Sequence, residues 1–115
     1  MSESSNVAID LLWENASPNS SFAAQTITLD LSKYTLLLIS YRDLGGGYVG
    51  NIFIPVNDST CGYYTATRGG FLYRQAKASQ NSLHFDEGSY AGSVNGSWST
   101  DNNVMIPGFV YGVKL

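Results

Sequence analysis

Apolar and polar residues alternate with a period of two along much of the chain, which is the signature of strands with one face buried. In VAIDLLW, Val7, Ile9, Leu11 and Trp13 hold one phase and Ala8, Asp10 and Leu12 the other, which predicts a half-buried strand resting on its Val7, Ile9, Leu11 and Trp13 side. NASPNSS breaks the pattern. QTITLDL resumes it, with Ile27, Leu29 and Leu31 on one face and Thr26, Thr28 and Asp30 on the other, and is the clearest strand in the chain. TLLLISYR is apolar on both faces, as a strand covered on both sides near the centre of a sheet would be, so it is expected to be the most protected segment.

NIFIPV, CGYYTAT, GFLYRQAK, SLHFDE and FVYGVKL follow as short strands between clusters of Gly, Asn, Asp and Ser. Good helix formers are sparse, and Ser, Thr, Asn, Gly and aromatic residues abound. About eight strands at this rhythm predict an all-β fold, a single antiparallel β-sandwich or jelly roll over residues 7–115. Residues 1–6, MSESSN, are expected to be a flexible N-terminus. A chain of 115 residues holds one core, so separate cofactor and substrate domains are not expected.

Composition narrows the function classes. With 43% hydrophobic and 13% charged residues the chain is too apolar for a disordered segment. Its longest apolar run, Thr35 to Ile39, is far short of the ~20 residues a membrane-crossing helix needs, so no membrane insertion is expected. The six Lys and Arg are scattered and the net charge is -3, which argues against nucleic-acid binding. The N-terminus has neither a basic residue nor an apolar stretch of the secretory type, so the chain is expected to be released into the cytoplasm where it is made. Cys61 is the only cysteine, which rules out an intrachain disulfide and a thiolate metal cluster.

One stretch invites a cofactor reading. In LGGGYVG, Gly45, Gly47 and Gly50 match the G-x-G-x-x-G pattern of a dinucleotide-binding loop. That chemistry needs a helix after the last glycine, whose free N–H groups face the pyrophosphate. Here the exit is NIFIPV, a strand pattern ending at Pro55, and no acidic residue follows at the spacing that would hold a ribose. The glycines read as a flexible hairpin loop whose backbone adopts positive φ angles, and no cofactor is expected.

No catalytic or metal-binding set is expected either. His84 is the only histidine and reads as a polar surface residue beside Ser82 and Asp86; a nucleophilic Cys61 paired with it has nothing in the sequence to bring the two together. Asp86 and Glu87 are adjacent, and strand neighbours point to opposite faces, which suits a paired-carboxylate glycosidase poorly. Asp58 and Asp101 read as turn formers. The protein is expected not to be an enzyme, with a small glycan hydrolase using Asp86, Glu87 or His84 as the third-ranked alternative.

The aromatic residues offer more. Tyr63, Tyr64, Tyr73, Tyr90, Trp98 and Tyr111 all lie in the second half, and alternation sends one of Tyr63 and Tyr64 inward and the other outward. Exposed rings beside Asn, Asp and Ser form a surface able to stack on sugars or bind a protein. The candidate receptor or partner contacts are Tyr48, Tyr64, Tyr90, Trp98 and Asn102.

Three stretches, LLWENASPNSSFAAQTITLDLSKYTLLLI, YRQAKASQNSLHFDEGSY and NNVMIPGFVYGVKL, together resemble the small β-sandwich domains of tailed-bacteriophage virion proteins, found in tail fibres, baseplates and head fibres. The ending, with Pro shortly before YG-(I/V)-K-L, carries most of the likeness. The resemblance implies a virion structural protein, made in the host bacterial cytoplasm, that recognises a bacterial surface glycan or protein. Its implied partners are other virion proteins and further copies of itself, a trimer being favoured. Capsid decoration or a head-fibre role is the alternative it leaves open. It implies no catalytic site.

Overall fold

In the computed structural model, which describes residues 7–44, 47–67, 70–93 and 96–115, the period-two segments become strands and the Gly, Asn and Ser clusters between them become turns. Among the described residues ten strands form: β1 (Ala8–Glu14), β2 (Gln25–Thr28), β3 (Leu36–Arg42), β4 (Tyr48–Pro55), β5 (Thr60–Thr67), β6 (Gly70–Ala78), β7 (Ser82–Phe85), β8 (Ser89–Ala91), β9 (Ser99–Thr100) and β10 (Ile106–Lys114). Two antiparallel sheets pack face to face as a β-sandwich. The expected count was about eight. The additional strands, β8 and β9, lie in GSYAG and SWST, which are too short and polar to show an alternation. They form because β7 covers only Ala76–Ala78 of β6, leaving Phe71–Tyr73 free for β8, on which β9 then pairs.

The first sheet runs β1–β10–β3–β4. In the second, β5 pairs with β6 along its whole length; β7 and β8 share the other edge of β6, with β2 outside β7 and β9 outside β8. Proline sits where a sheet tolerates a missing donor. Pro55 ends the edge strand β4, and Pro107 lies at the register shift between Pro107 and Phe109 in β10.

The core between the sheets is built from alternate residues of each strand. Leu37, Ile39 and Tyr41 of β3, Ile54 of β4, Val110 of β10, and Leu72, Ala76, Leu83 and Phe85 of the second sheet are all buried. Each large apolar side chain enclosed in this way contributes about 1.5–3 kcal/mol relative to exposure. Ile27, Leu29 and Leu31 turn inward as the alternation predicts. Only Gln25–Thr28 is strand, however; Leu29 and Leu31 instead donate their N–H groups to Asn81 and Gln80. Phe22 meets both Trp13 and Phe85 edge on, with Phe22 and Phe85 centroids 5.4 Å apart.

Among the described residues one charged side chain lies inside this core. Arg74 follows Leu72 in the inward phase of β6 and is 0% exposed. Its guanidinium donates to the carbonyls of Met105 at 2.8 Å, Asp86 at 2.7 Å and Val104 at 3.1 Å, and lies over the Phe22 ring. Burial lowers its pKa to about 10, so it remains charged at neutral pH. The three carbonyls replace its lost hydration and tie the 101–105 segment to the second sheet.

Two expectations about faces are corrected. Val7, Ile9 and Leu11 point outward and are 54%, 60% and 52% exposed; the register shift between Leu11 and Trp13 turns only Trp13 of that set toward the core. β3 is central in its sheet as expected, but it is covered on one side only. Leu36 and Leu38 lie on the outer face, half-buried, while Leu37 and Ile39 are fully enclosed.

Candidate functional site

The outer face of the second sheet gathers the polar and aromatic side chains that sequence scatters. One cross-strand row is Tyr64–Tyr73–Ser89–Thr100 and a second is Thr60–Lys77–His84–Thr26, with Gly62 and Gln75 paired between them. Because directly opposed residues share a face, these side chains all project from the same surface.

Three aromatic rings cluster there. Tyr64 and Tyr73 lie with ring centroids 4.2 Å apart at an interplanar angle of 30°, and Trp98 meets both edge on at 6.1 and 6.2 Å. Tyr64 is 65% and Trp98 47% exposed, whereas Tyr73 is half-buried beneath them. Gly62 makes this possible, since a Cβ at that position would run into the Tyr73 ring. Burial raises the Tyr73 phenol above its ordinary pKa, only partly countered by its bond with Gln75, so it stays protonated at neutral pH.

A polar relay borders the aromatic cluster. The Thr26 hydroxyl lies 2.7 Å from His84 Nδ1, and His84 Nε2 lies 3.1 Å from Asp86 Oδ1. With the proton on Nε2, the ring donates to Asp86 and accepts from Thr26. The imidazole is thereby fixed in orientation on an open sheet face, as a hydrogen-bonding group rather than a side chain enclosed in a cleft. Lys77 is its cross-strand neighbour and reaches Asp58 at 3.8 Å.

The five candidate contacts do not form one patch. Tyr64 and Trp98 stand together in the cluster. Tyr48, 66% exposed, is on the other side of the sandwich, at the rim of a hollow lined by Leu38, Ser40, Asn51 and Phe109. Tyr90 faces inward opposite Leu72 and packs against the core. Asn102 is a structural tie: its Nδ2 donates to both Glu87 carboxylate oxygens, at 3.2 and 3.1 Å, and its Oδ1 accepts from Gly88 N at 2.9 Å. Sequence reasoning left out Tyr73 and Gln75, although both share the outward phase of β6 with Lys77.

The remaining candidates separate as follows. Tyr63 turns inward and stacks on Tyr41 at 5.9 Å, while Tyr64 turns outward, as alternation requires. Cys61 packs against the core on the inner side of β5, so it cannot reach His84 on the outer side of β7. Asp86 faces His84, whereas Glu87 accepts from Ala24 N at 2.8 Å and from Asn102; the pair does not converge on one point. Asp101 accepts from Asn103 N, and Asp58 takes a left-handed turn conformation with φ of 66°. Among the described residues no group of three or more His, Cys, Asp or Glu side chains is placed to hold a metal ion.

The glycine stretch leads into β4, so a strand occupies the place where a phosphate cradle needs a helix. Gly50 is required for a different reason: a Cβ there would collide with the Tyr63 ring. Gly45 and Gly46, and the N-terminal residues 1–6, lie outside the described residues. No known protein family, curated protein or solved structure matches the chain.

Proposed function

We propose that the chain is a non-enzymatic attachment module that binds a neutral saccharide of a bacterial surface on the outer face of its second sheet, as a domain of a tail-fibre or baseplate protein of a tailed bacteriophage. The observation that carries the binding reading is the Tyr64–Tyr73–Trp98 cluster. A pyranose presents a face of C–H groups that packs on aromatic rings, and its hydroxyls need donors and acceptors at the rim. Gln75, His84 and Asp86 supply these. The Asp86 carboxylate accepts from hydroxyls and repels an acidic sugar, hence a neutral ligand. The virion role is supported by the resemblance of the three quoted stretches to phage sandwich domains, together with the sandwich fold itself.

Calorimetric titration with a panel of neutral mono- and oligosaccharides tests the binding. Tyr64→Ala and Trp98→Ala are each expected to weaken affinity about tenfold while leaving the fold intact, because both rings stack outside the core. Binding indifferent to both substitutions, or no saccharide bound at all, would overturn the reading.

A further inference from the structure

The outer face of the first sheet is of a different kind. Its cross-strand rows are Ile9–Val113–Leu36–Pro55, Leu11–Tyr111–Leu38–Phe53 and Glu14–Phe109–Ser40–Asn51. The first two rows contain no charged and no strongly polar side chain apart from the Tyr111 hydroxyl. Ile9, Leu11 and Phe53 are 60%, 52% and 58% exposed, so the centre of a four-stranded sheet presents hydrocarbon to water.

We propose that this face seats a second copy of the chain, forming an isologous, face-to-face pair. Its size suits that occupant. Four strands about 4.8 Å apart and about eight residues long at ~3.3 Å each outline roughly 500 Å², so two such faces bury about 1,000 Å² in all, where specific association begins.

Two features select a copy of itself over a foreign chain. First, the two apolar rows carry no charge pattern that could specify a differently charged partner. Second, the face complements itself: a two-fold rotation lays each apolar row of one copy on the same row of the other, so hydrocarbon meets hydrocarbon from edge to edge.

A two-fold axis lying in the interface and parallel to the strands exchanges the edges β1 and β4. Leu11 of one copy then meets Phe53 of its partner, and Tyr111 meets Leu38. The pairing adds sheet-on-sheet packing of the same type as the sandwich interior, and it leaves the saccharide face, on the far side of each copy, open.

Sedimentation velocity on the full chain across micromolar to submillimolar concentrations is the test. The wild type is expected to show the mass of two chains, dissociating on dilution. Leu11→Lys and Phe53→Glu are each expected to weaken pairing at least about tenfold, since each buries two unpaired charges in the symmetric interface, one from each copy. Both sites are more than half exposed in the single chain, so circular dichroism should show an unchanged fold. Tyr64→Glu, on the opposite face, should leave the mass unaltered. The double variant Leu11→Lys/Phe53→Glu is expected to recover pairing, because opposite charges then face each other across the interface. A monomer at every concentration, a mass other than two chains, pairing unmoved by either single substitution, or a double variant no better than the singles would overturn the proposal.

Discussion

The two outer faces of this sandwich are built by the same alternation and carry opposite chemistry. On the first sheet the outward positions are Ile9, Leu11, Leu36, Leu38, Phe53 and Tyr111, a continuous apolar surface. On the second they are Thr26, His84, Lys77, Gln75, Tyr64 and Tyr73, a polar surface with one aromatic cluster. Alternation tells which residues share a face. It does not tell which face meets the core, because in β3 both phases are apolar, and in β1 a register shift turns Trp13 inward while Leu11 stays out.

The largest expected effect comes from removing the tie inside the core that lies between the two faces. Arg74→Met leaves the carbonyls of Met105, Val104 and Asp86 without their donor inside the core. Each carbonyl left unsatisfied in the core costs about 1–3 kcal/mol, so a loss of at least about 3 kcal/mol, or about 10 °C in Tm, is expected. Calorimetry or thermal circular dichroism checks it, and a shift below about 3 °C would show that the buried guanidinium is not the tie described.

A smaller effect sharpens the binding face. Gly62→Ala places a methyl group where the Tyr73 ring lies, so Tyr73 must shift and the cluster must open although no aromatic residue is lost. Affinity for a bound saccharide is expected to fall several-fold, with about 1–2 kcal/mol of stability lost to the displaced ring. Unchanged affinity would mean that the rings act singly and their arrangement is irrelevant.

The smallest effect is electrostatic and separates the loop ties from both faces. Glu87 has its pKa lowered from 4.5 chiefly by the Ala24 N–H, then by Asn102. A carboxylate held below its unfolded value adds stability that is present above that value and is lost as pH falls through the folded one. The Tm difference between wild type and Glu87→Gln should therefore shrink between pH 7 and pH 3. Asp43 is common to both proteins and cancels in this difference; burial and Asp101 raise its pKa, so its own contribution is greatest in acid and fades as pH rises. A difference independent of pH would contradict the Glu87 tie.

Much of this was legible in the sequence. The all-β class, the inward Ile27–Leu29–Leu31 set, the opposite fates of Tyr63 and Tyr64, and the strand after LGGGYVG all follow from period two and turn chemistry. Arg74 was readable too, since it stands in phase with Leu72, Ala76 and Ala78, although a charge in that phase invites the wrong inference of exposure. The Thr26–His84–Asp86 relay and the meeting of Trp98 with Tyr64 and Tyr73 were not readable. Both depend on strand pairings between segments far apart in the chain, and no local pattern sets those registers. The polar surroundings of Asn102 suit a contact residue and a loop tie alike; its bonds to Glu87 and Gly88 decide for the tie.

The division of labour between the faces is tested most directly by amide chemical-shift mapping of the full chain during titration with the tightest-binding neutral saccharide. Shifts concentrated at Gly62, Tyr64, Tyr73, Gln75 and Trp98, with Leu11, Leu38 and Phe53 unmoved, are the predicted result. Shifts centred on Leu38, Phe53 and Tyr111, with the aromatic cluster silent, would contradict it.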